Sequence, residues 1–327
     1  MKNIIGMMFC FALVGGLLIG GCAKQQQAPS GLQALVSPAE KPVKLNTDVE
    51  FNFLEGPVYG PDGNVYFSDM CLETDNPIAN SKIWKMDPQS KFTVFMSPAT
   101  VVNGMKFDAN GNLIGCQMFG HKVIQIGPDG KEAKVIVGEY NGKHIDGPND
   151  LVIDKKGGIY FTDPRYSPKD TWVQDKEAAY YLAPDGKTLT RIIDDIEKPN
   201  GILLSPDEKT LFVNNTNGKE IYMYDVQPDG MIANKRVFTT LNVPPDKGNE
   251  SLADGMVIDS QGNIYCTSYL GIQVINSKGE NLGAIELPEL AANVCFGGAD
   301  KTELYIAGRK NLYKMKVNVP GIIFPQK

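Results

Sequence analysis

The amino-acid sequence predicts an all-β fold, a six-bladed β-propeller with four strands per blade, from three observations. One pattern recurs six times: a polar residue, a short apolar stretch, a Gly/Asp turn and a second apolar strand. Successive copies start 39 to 54 residues apart, a period that suits a four-stranded blade better than a helical repeat. Helix signals are nearly absent, and a third alternating strand follows each copy.

In chain order the copies are EGPVYGPDGNVYFSD from Glu55, NGMKFDANGNLIGCQ from Asn103, NDLVIDKKGGIYFTD from Asn149, NGILLSPDEKTLFVNN from Asn200, DGMVIDSQGNIYCTS from Asp254 and NVCFGGADKTELYIAG from Asn293. The third strands read, in the same order, SKIWKMDPQSK, HKVIQIGPDGK, AAYYLAPDGK, KEIYMYDVQPDG, GIQVINSKGE and KNLYKMKV. Most run into a PDG-type turn that hands over to a fourth strand. Radial repetition of such units hides the sheet edges. The sixth copy has its third strand at about 311–317 and only Pro320 and a short tail after it. Its fourth strand is therefore predicted around 44–53, KLNTDVEFNF, so that an N-terminal strand closes the ring of a propeller domain at 44–327.

Residues 1–21 carry Lys2, an apolar run from Ile4 to Ile19 and a Gly20-Gly21 pair, and read as a lipoprotein signal peptide. The run is also near the lower length limit for a spanning helix. Ile-Gly-Gly-Cys resembles a bacterial lipobox, which implies lipidation of Cys22 and an exported, membrane-anchored lipoprotein on the periplasmic or cell-surface side. Residues 22–43 are polar and Pro-containing, as suits a lipid-attached flexible tether.

With 32 Lys+Arg against 38 Asp+Glu the formal charge is −6, and no block of five like charges occurs, so nucleic acid is not an expected partner. Two histidines, His121 and His144, cannot build a three-histidine zinc site or an HExxH helix, and any metal must be held mainly by oxygen. Cys71, Cys116, Cys266 and Cys295 form no CxxC pair; they read as small buried residues or as a disulfide permitted outside the cytoplasm. No GxSxG or SxxK motif supplies a serine nucleophile.

The first residues of the six copies, Glu55, Asn103, Asn149, Asn200, Asp254 and Asn293, all carry a side-chain oxygen. The innermost strand of each blade lines the central channel, so these positions are expected to form a ring about the axis. Six converging oxygens suit a hard cation, and the carboxylates of Glu55 and Asp254 balance one divalent ion, with Ca2+ fitting best. The alternative is that each Asn or Asp caps a local turn; the alignment of six copies argues for the metal.

The segments FLEGPVY, GPNDLVIDKKGGIYFTDPRY, KPNGILLSPDEKTLFV, LADGMVIDSQGNIY and AANVCFGGADKTELYIAG resemble the family of gluconolactonase, senescence marker protein and luciferin-regenerating enzyme. That family includes diisopropyl fluorophosphatase and the staphylococcal drug-responsive lactonase. The resemblance spans roughly Val49 to Lys316. It implies one calcium in the channel held at Glu55, Asn149, Asn200 and Asp254, hydrolysis of a lactone or in some members a phosphotriester, and Asp254 as general base or nucleophile. Asn103 and Asn293 are then left to orient a small-molecule lactone substrate or to support the metal's ligands, and His144, near the channel mouth, reads as a further substrate contact or proton shuttle, or as an exposed loop histidine without a role. The chain has no histidine after His144 and carries Val257 where phosphotriesterase members place an Asp for a second calcium. Gly147 replaces an Arg of the vertebrate members, so their sugar-lactone contact is not implied.

His121 reads as a surface residue, and Asp69 and Asp163 as anchors of inter-blade turns. Tyr166, Trp172 and Tyr180 fall in or beside a blade-three insertion that either covers the pocket or packs under its own loop. The sequence thus points to a monomeric calcium-dependent lactonase, a gluconolactonase-like ester hydrolase. The competing reading is a non-catalytic propeller that binds a sugar or protein partner, with calcium as a plug.

Overall fold

The computed structural model describes residues 31–326; the expected signal peptide, Cys22 and the first part of the expected tether lie outside the described residues. Six four-stranded antiparallel sheets succeed one another along the chain as the blades of a propeller. The innermost strands are Leu54–Tyr59, Val102–Phe107, Leu151–Ile153, Pro199–Leu204, Met256–Ile258 and Ala291–Gly297. In the first five blades the strands pair in sequence order from inside to outside.

The turn between the first and second strands shows why the repeat reads as it does. In blades two, three and five an Asp opens the turn and its Oδ1 accepts two backbone N–H groups: Asp108 from Asn110 and Asn112, Asp154 from Lys156 and Gly158, Asp259 from Gln261 and Asn263. The fourth turn residue adopts positive φ, as Gly111, Gly157 and Gly262 do at 82° to 89°. Aromatic and branched residues between these turns fill the inter-blade core, where Tyr160, Tyr180, Tyr181, Tyr265, Phe67 and Phe161 are fully buried.

The sixth sheet is completed from the N-terminus, but by a shorter strand than 44–53. Val43 pairs with Lys314 and Lys44 with Tyr313. Asn46 then ends the strand, because its side chain takes over the ladder: Oδ1 accepts from the Leu312 N–H at 2.9 Å and Nδ2 donates to the Val49 carbonyl at 3.0 Å. Residues 47–53 instead lead into the first inner strand.

The flexible tether expected over 22–43 is not what the structure shows from residue 31 on, and its earlier part lies outside the described residues. Residues 31–43 are docked on the propeller: a one-turn helix, Leu32–Leu35, buries Leu35 and Val36 against blades five and six, and Asn318 bonds the Leu35 and Ala34 carbonyls. The composition is polar on average, but Leu32, Leu35 and Val36 fall on one face of a single turn. Among the described residues no helix is long and apolar enough to cross a membrane.

The C-terminal tail crosses the end of the channel formed by the strand 1–2 turns. Gly321 bridges to Asp259, the Ile322 N–H donates to Ile258 at 3.0 Å, and Gln326 reaches the Pro206 carbonyl. Ile322, Ile323 and Phe324 seal the bottom of a channel cavity of about 40 Å3.

Candidate metal centre

Each of the six aligned polar residues sits at the start of an innermost strand, where the pairing is irregular. The ladder shifts register between Glu55 and Val58, Val102 and Met105, Pro199 and Ile202, and Ala291 and Asn293. In blades three and five it starts only at Leu151 and Met256, two residues past Asn149 and Asp254. Such bulges re-aim a side chain out of the pleat, here toward the axis.

The six positions are in contact from blade to blade. A Cβ on Gly56 would overlap the Asn103 carbonyl, one on Gly104 would come within 2.7 Å of the Asn149 carbonyl, one on Gly201 would overlap the Asp254 carbonyl, and one on Gly255 would overlap the Asn293 amide. Glycine after the polar residue therefore allows neighbouring inner strands to close in. From the last blade to the first, Asn293 Nδ2 donates to Glu55 Oε2 at 3.0 Å.

A second set of bonds, which the sequence reading overlooked, supports this ring from outside. On the second strand of a blade, a hydroxyl or amide donates to the backbone carbonyl at the next blade's ring: Ser68 to Asn103, Thr162 to Asn200, Asn214 to Asp254 and Thr267 to Ala292, at 2.5 to 3.2 Å. Their signal in the sequence is a polar residue at the matching place in four of the six second strands, while blades two and six carry Cys116 and Ala307 there.

Glu55, Asn103, Asn149, Asn200 and Asn293 are all buried, and Asp254 is partly exposed. Asn103 Oδ1, Asn200 Oδ1 and Asp254 Oδ1 are buried oxygens with no hydrogen-bond partner among the described residues. Burial lifts the Glu55 carboxyl to about 7, against the Gly56 N–H and Asn293 amide that favour its ionised form. Asp254 is raised well above the carboxylate range by burial and then by the charges of Glu55 and Asp150. Unpartnered oxygens beside two carboxylates that repel each other are the donor set a hard divalent cation satisfies. The residues present therefore fit Ca2+, with Glu55, Asn149, Asn200 and Asp254 as holders and Asn103 within the same ring.

Around the mouth the structure brings further groups to the site. Asp150, next to Asn149, is a third buried carboxylate. The Arg309 guanidinium lies 5.3 Å from the Phe53 ring centroid, and its charge lowers the proton affinity of Glu55 and Asp254. Tyr166 of the blade-three insertion donates to Thr216 Oγ1 at 2.9 Å, and the same oxygen accepts from Asn200 Nδ2 at 3.2 Å. The insertion is thus tied to the ring, with Lys198 Nζ 4.7 Å from the Tyr166 ring centroid. Tyr180 does not belong here: it is core, stacked on Phe161.

His144 lies on a two-stranded hairpin, Glu139–Tyr140 with Lys143–His144, that leads toward Asn149. Its ring stacks on His121 at 4.4 Å, and His121, expected at the surface, is half-buried with Nδ1 2.9 Å from the Asp146 carbonyl. Neither imidazole hydrogen-bonds a ring residue among the described residues. Asp69 and Asp163 anchor segments of their own blades: Asp69 accepts from the N–H groups of Asn52 and Phe53, and Asp163 from those of Asp146 and Gly147. The four cysteines described are buried and unbonded to one another.

The family described as "SMP-30/Gluconolactonase/LRE-like region" matches residues 118–309, which include Asn149, Asn200, Asp254 and Asn293. A gluconolactonase of Zymomonas mobilis is 28% identical over 331 residues, covering 94% of this chain and 89% of its own. The lactonase drp35 of Staphylococcus haemolyticus is 30% identical, covering 72% and 70%. Among solved structures, a gluconolactonase from Xanthomonas campestris superposes with a TM-score of 0.77 at 28% identity, covering 88% of this chain and 92% of its own. A regucalcin from Agrobacterium tumefaciens, with a TM-score of 0.70 at 15% identity, covers 86% and 95% and shares the fold. The six-bladed architecture, the polar ring at its axis and the match across most of the chain together place this protein in the SMP-30/gluconolactonase/LRE-like family.

Proposed function

We propose that this chain is a calcium-dependent lactone hydrolase whose reaction takes place over the polar ring. The observation that carries the reading is the Glu55–Asp254 pair, both carboxyls raised by burial and then by acidic neighbours, flanked by the free amide oxygens of Asn103 and Asn200. The named activities of the gluconolactonase and lactonase relatives support the substrate class.

Calcium bound in the ring supplies Lewis-acid polarisation of the lactone carbonyl. Asp254 is partly exposed as a residue, while its Oδ1 is buried and, among the described residues, unpartnered, and this carboxylate is the one proposed to meet substrate. It acts either as base, taking a proton from the water that attacks the acyl carbon, or as the attacking group itself, in which case water then cleaves the acyl–Asp254 anhydride and frees the carboxylate. The acyl–oxygen bond of the ring breaks, the ring oxygen takes a proton, and the product is a hydroxy acid. Asn103 and Asn293 orient the substrate, and Tyr166 and Arg309 border it from opposite sides of the mouth. His144 is a substrate contact in this reading through the face not turned to Ile145, whose carbonyl lies 2.8 Å from its Nδ1.

The same proposal places the protein outside the cytoplasm, a monomer anchored through lipid on Cys22, on the strength of residues 1–22. The functional test is a pH-stat assay against glucono-δ-lactone and a panel of other lactones, because ring opening releases acid. Chelated protein should be inactive and regain turnover with calcium. A folded, calcium-loaded protein that opens no lactone would favour the binding module.

A further inference from the structure

One step below the polar ring the channel is walled by Val58, Lys106, Val152, Leu203, Val257 and Phe296, the third residue after each ring position. Five are apolar and one is a lysine. Lys106 is largely buried, and its Nζ stands 3.7 Å from Asp150 Oδ1, on a carboxylate that is 3% exposed. Among the described residues the ammonium has no other acidic neighbour within ion-pair distance. Asp150 Oδ1 also accepts the Leu151 N–H at 2.8 Å, and its charge reaches both Glu55 and Asp254.

Among the described residues three carboxylates therefore share the channel, and Lys106 is the one cationic side chain in its wall. Arg309 also acts on Glu55 and Asp254, but it is exposed at the mouth, where solvent and salt screen it, and it stands outside the wall of the channel. Counting fixed charge, Glu55, Asp150 and Asp254 give −3 and Lys106 +1. A buried ammonium without a counter-charge is strongly disfavoured, and so is Asp150 without its lysine. The ring is left two charges short of neutrality, which one divalent ion supplies.

We propose that Lys106 is the resident counter-ion of Asp150 and sets the charge of the cation the ring selects, holding it to a divalent ion and against a trivalent one. Lys106 is a positioning residue: it touches neither substrate nor the bound ion, and acts through the field at the ring. This rests on the metal-centre reading above.

The test is calorimetric titration of the chelated full-length protein with Ca2+ and with La3+, read as the ratio of the two affinities. Lys106→Met keeps the stem and removes the charge; the ratio should move toward La3+ by about tenfold or more, the effect of one unit of charge acting through an effective dielectric near 20. Lys106→Arg and the double variant Lys106→Met/Asp150→Asn should return it to the wild-type value. Asp150→Asn alone should move it about tenfold the other way, which keeps the test decisive if Lys106→Met does not fold. Ratios within twofold of wild type in Lys106→Met or, if that fails to fold, in Asp150→Asn, would overturn the proposal and leave Lys106 as filling. Wild-type protein that binds neither ion would overturn the metal centre itself, a separate result.

Discussion

Asn293 donates to Glu55 across 238 residues of chain, and that one 3.0 Å bond joins the last blade to the first at the axis. At the rim the same two blades are joined by the pairing of Val43 and Lys44 with the last strand. The ring is thus closed twice, once through a side chain that also restrains a candidate metal holder. Asn293→Ala should cost about 1.5–3 kcal/mol, the range for a hydrogen bond to a charged group. It should also weaken calcium binding, because Glu55 loses the donor that fixes its rotamer. Melting curves with and without calcium check both, and an unchanged calcium-dependent rise in Tm would show that the bond serves closure alone.

Asp254→Asn removes one of the two ring charges. Calcium affinity should fall, and turnover at saturating calcium should fall about 100-fold or more, the scale for a lost general base. Lactonase assays across a calcium series separate the two effects. Full activity with metal bound would end the assignment of Asp254 as base or nucleophile.

The folded pKa of Glu55 without cation is about 7, above the ordinary 4.5, and burial raises Asp163 to about 7 as well. Asp254 moves in the same direction. A carboxyl raised on folding binds more protons in the native state, so its contribution to stability is fully present below about pH 4 and is lost as pH rises through 7. Chelated protein should therefore lose Tm steadily from pH 5 to pH 8. Calcium should reverse most of that loss by holding Glu55 and Asp254 ionised, leaving the Asp163 part, and its binding at pH 6 should release protons. Melts at several pH values and calorimetry in two buffers of different ionisation enthalpy test this; a chelated Tm that rises with pH would contradict it.

Gly104→Ala would place a Cβ 2.6 Å from Asp150 Oδ1 and 2.7 Å from the Asn149 carbonyl. Backbone there cannot yield cheaply, so a loss of about 1–3 kcal/mol is expected, the usual cost of overpacking. Calcium affinity should drop with it, since the insertion pushes on a ring position. Chemical denaturation and calcium titration of the same variant show whether the two losses travel together.

The blades and the ring were legible because each blade repeats the same local chemistry, and alignment of six copies exposes positions that one copy would hide. Features belonging to one blade escaped. Asp150 follows a ring residue only in blade three; elsewhere that place is Gly or Val294. The meeting of His121 and His144 depends on a hairpin, turned at Asn141 and Gly142, that no other blade has. The closing strand proved shorter than the 44–53 expected from the missing fourth strand of the last blade, because the Asn46 side chain competes for the ladder. The docking of 32–35 was masked by a polar average over the whole segment.

The tail from Pro320 to Gln326 has a consequence for turnover. With Ile322, Ile323 and Phe324 across the far end, the channel is a blind cup rather than a passage. Whatever leaves the polar ring must depart by the door through which the next molecule enters. Departure and arrival then compete for the open end, so a hydroxy acid leaving a reaction at the ring should hold the queue, and accumulated product should slow the cycle.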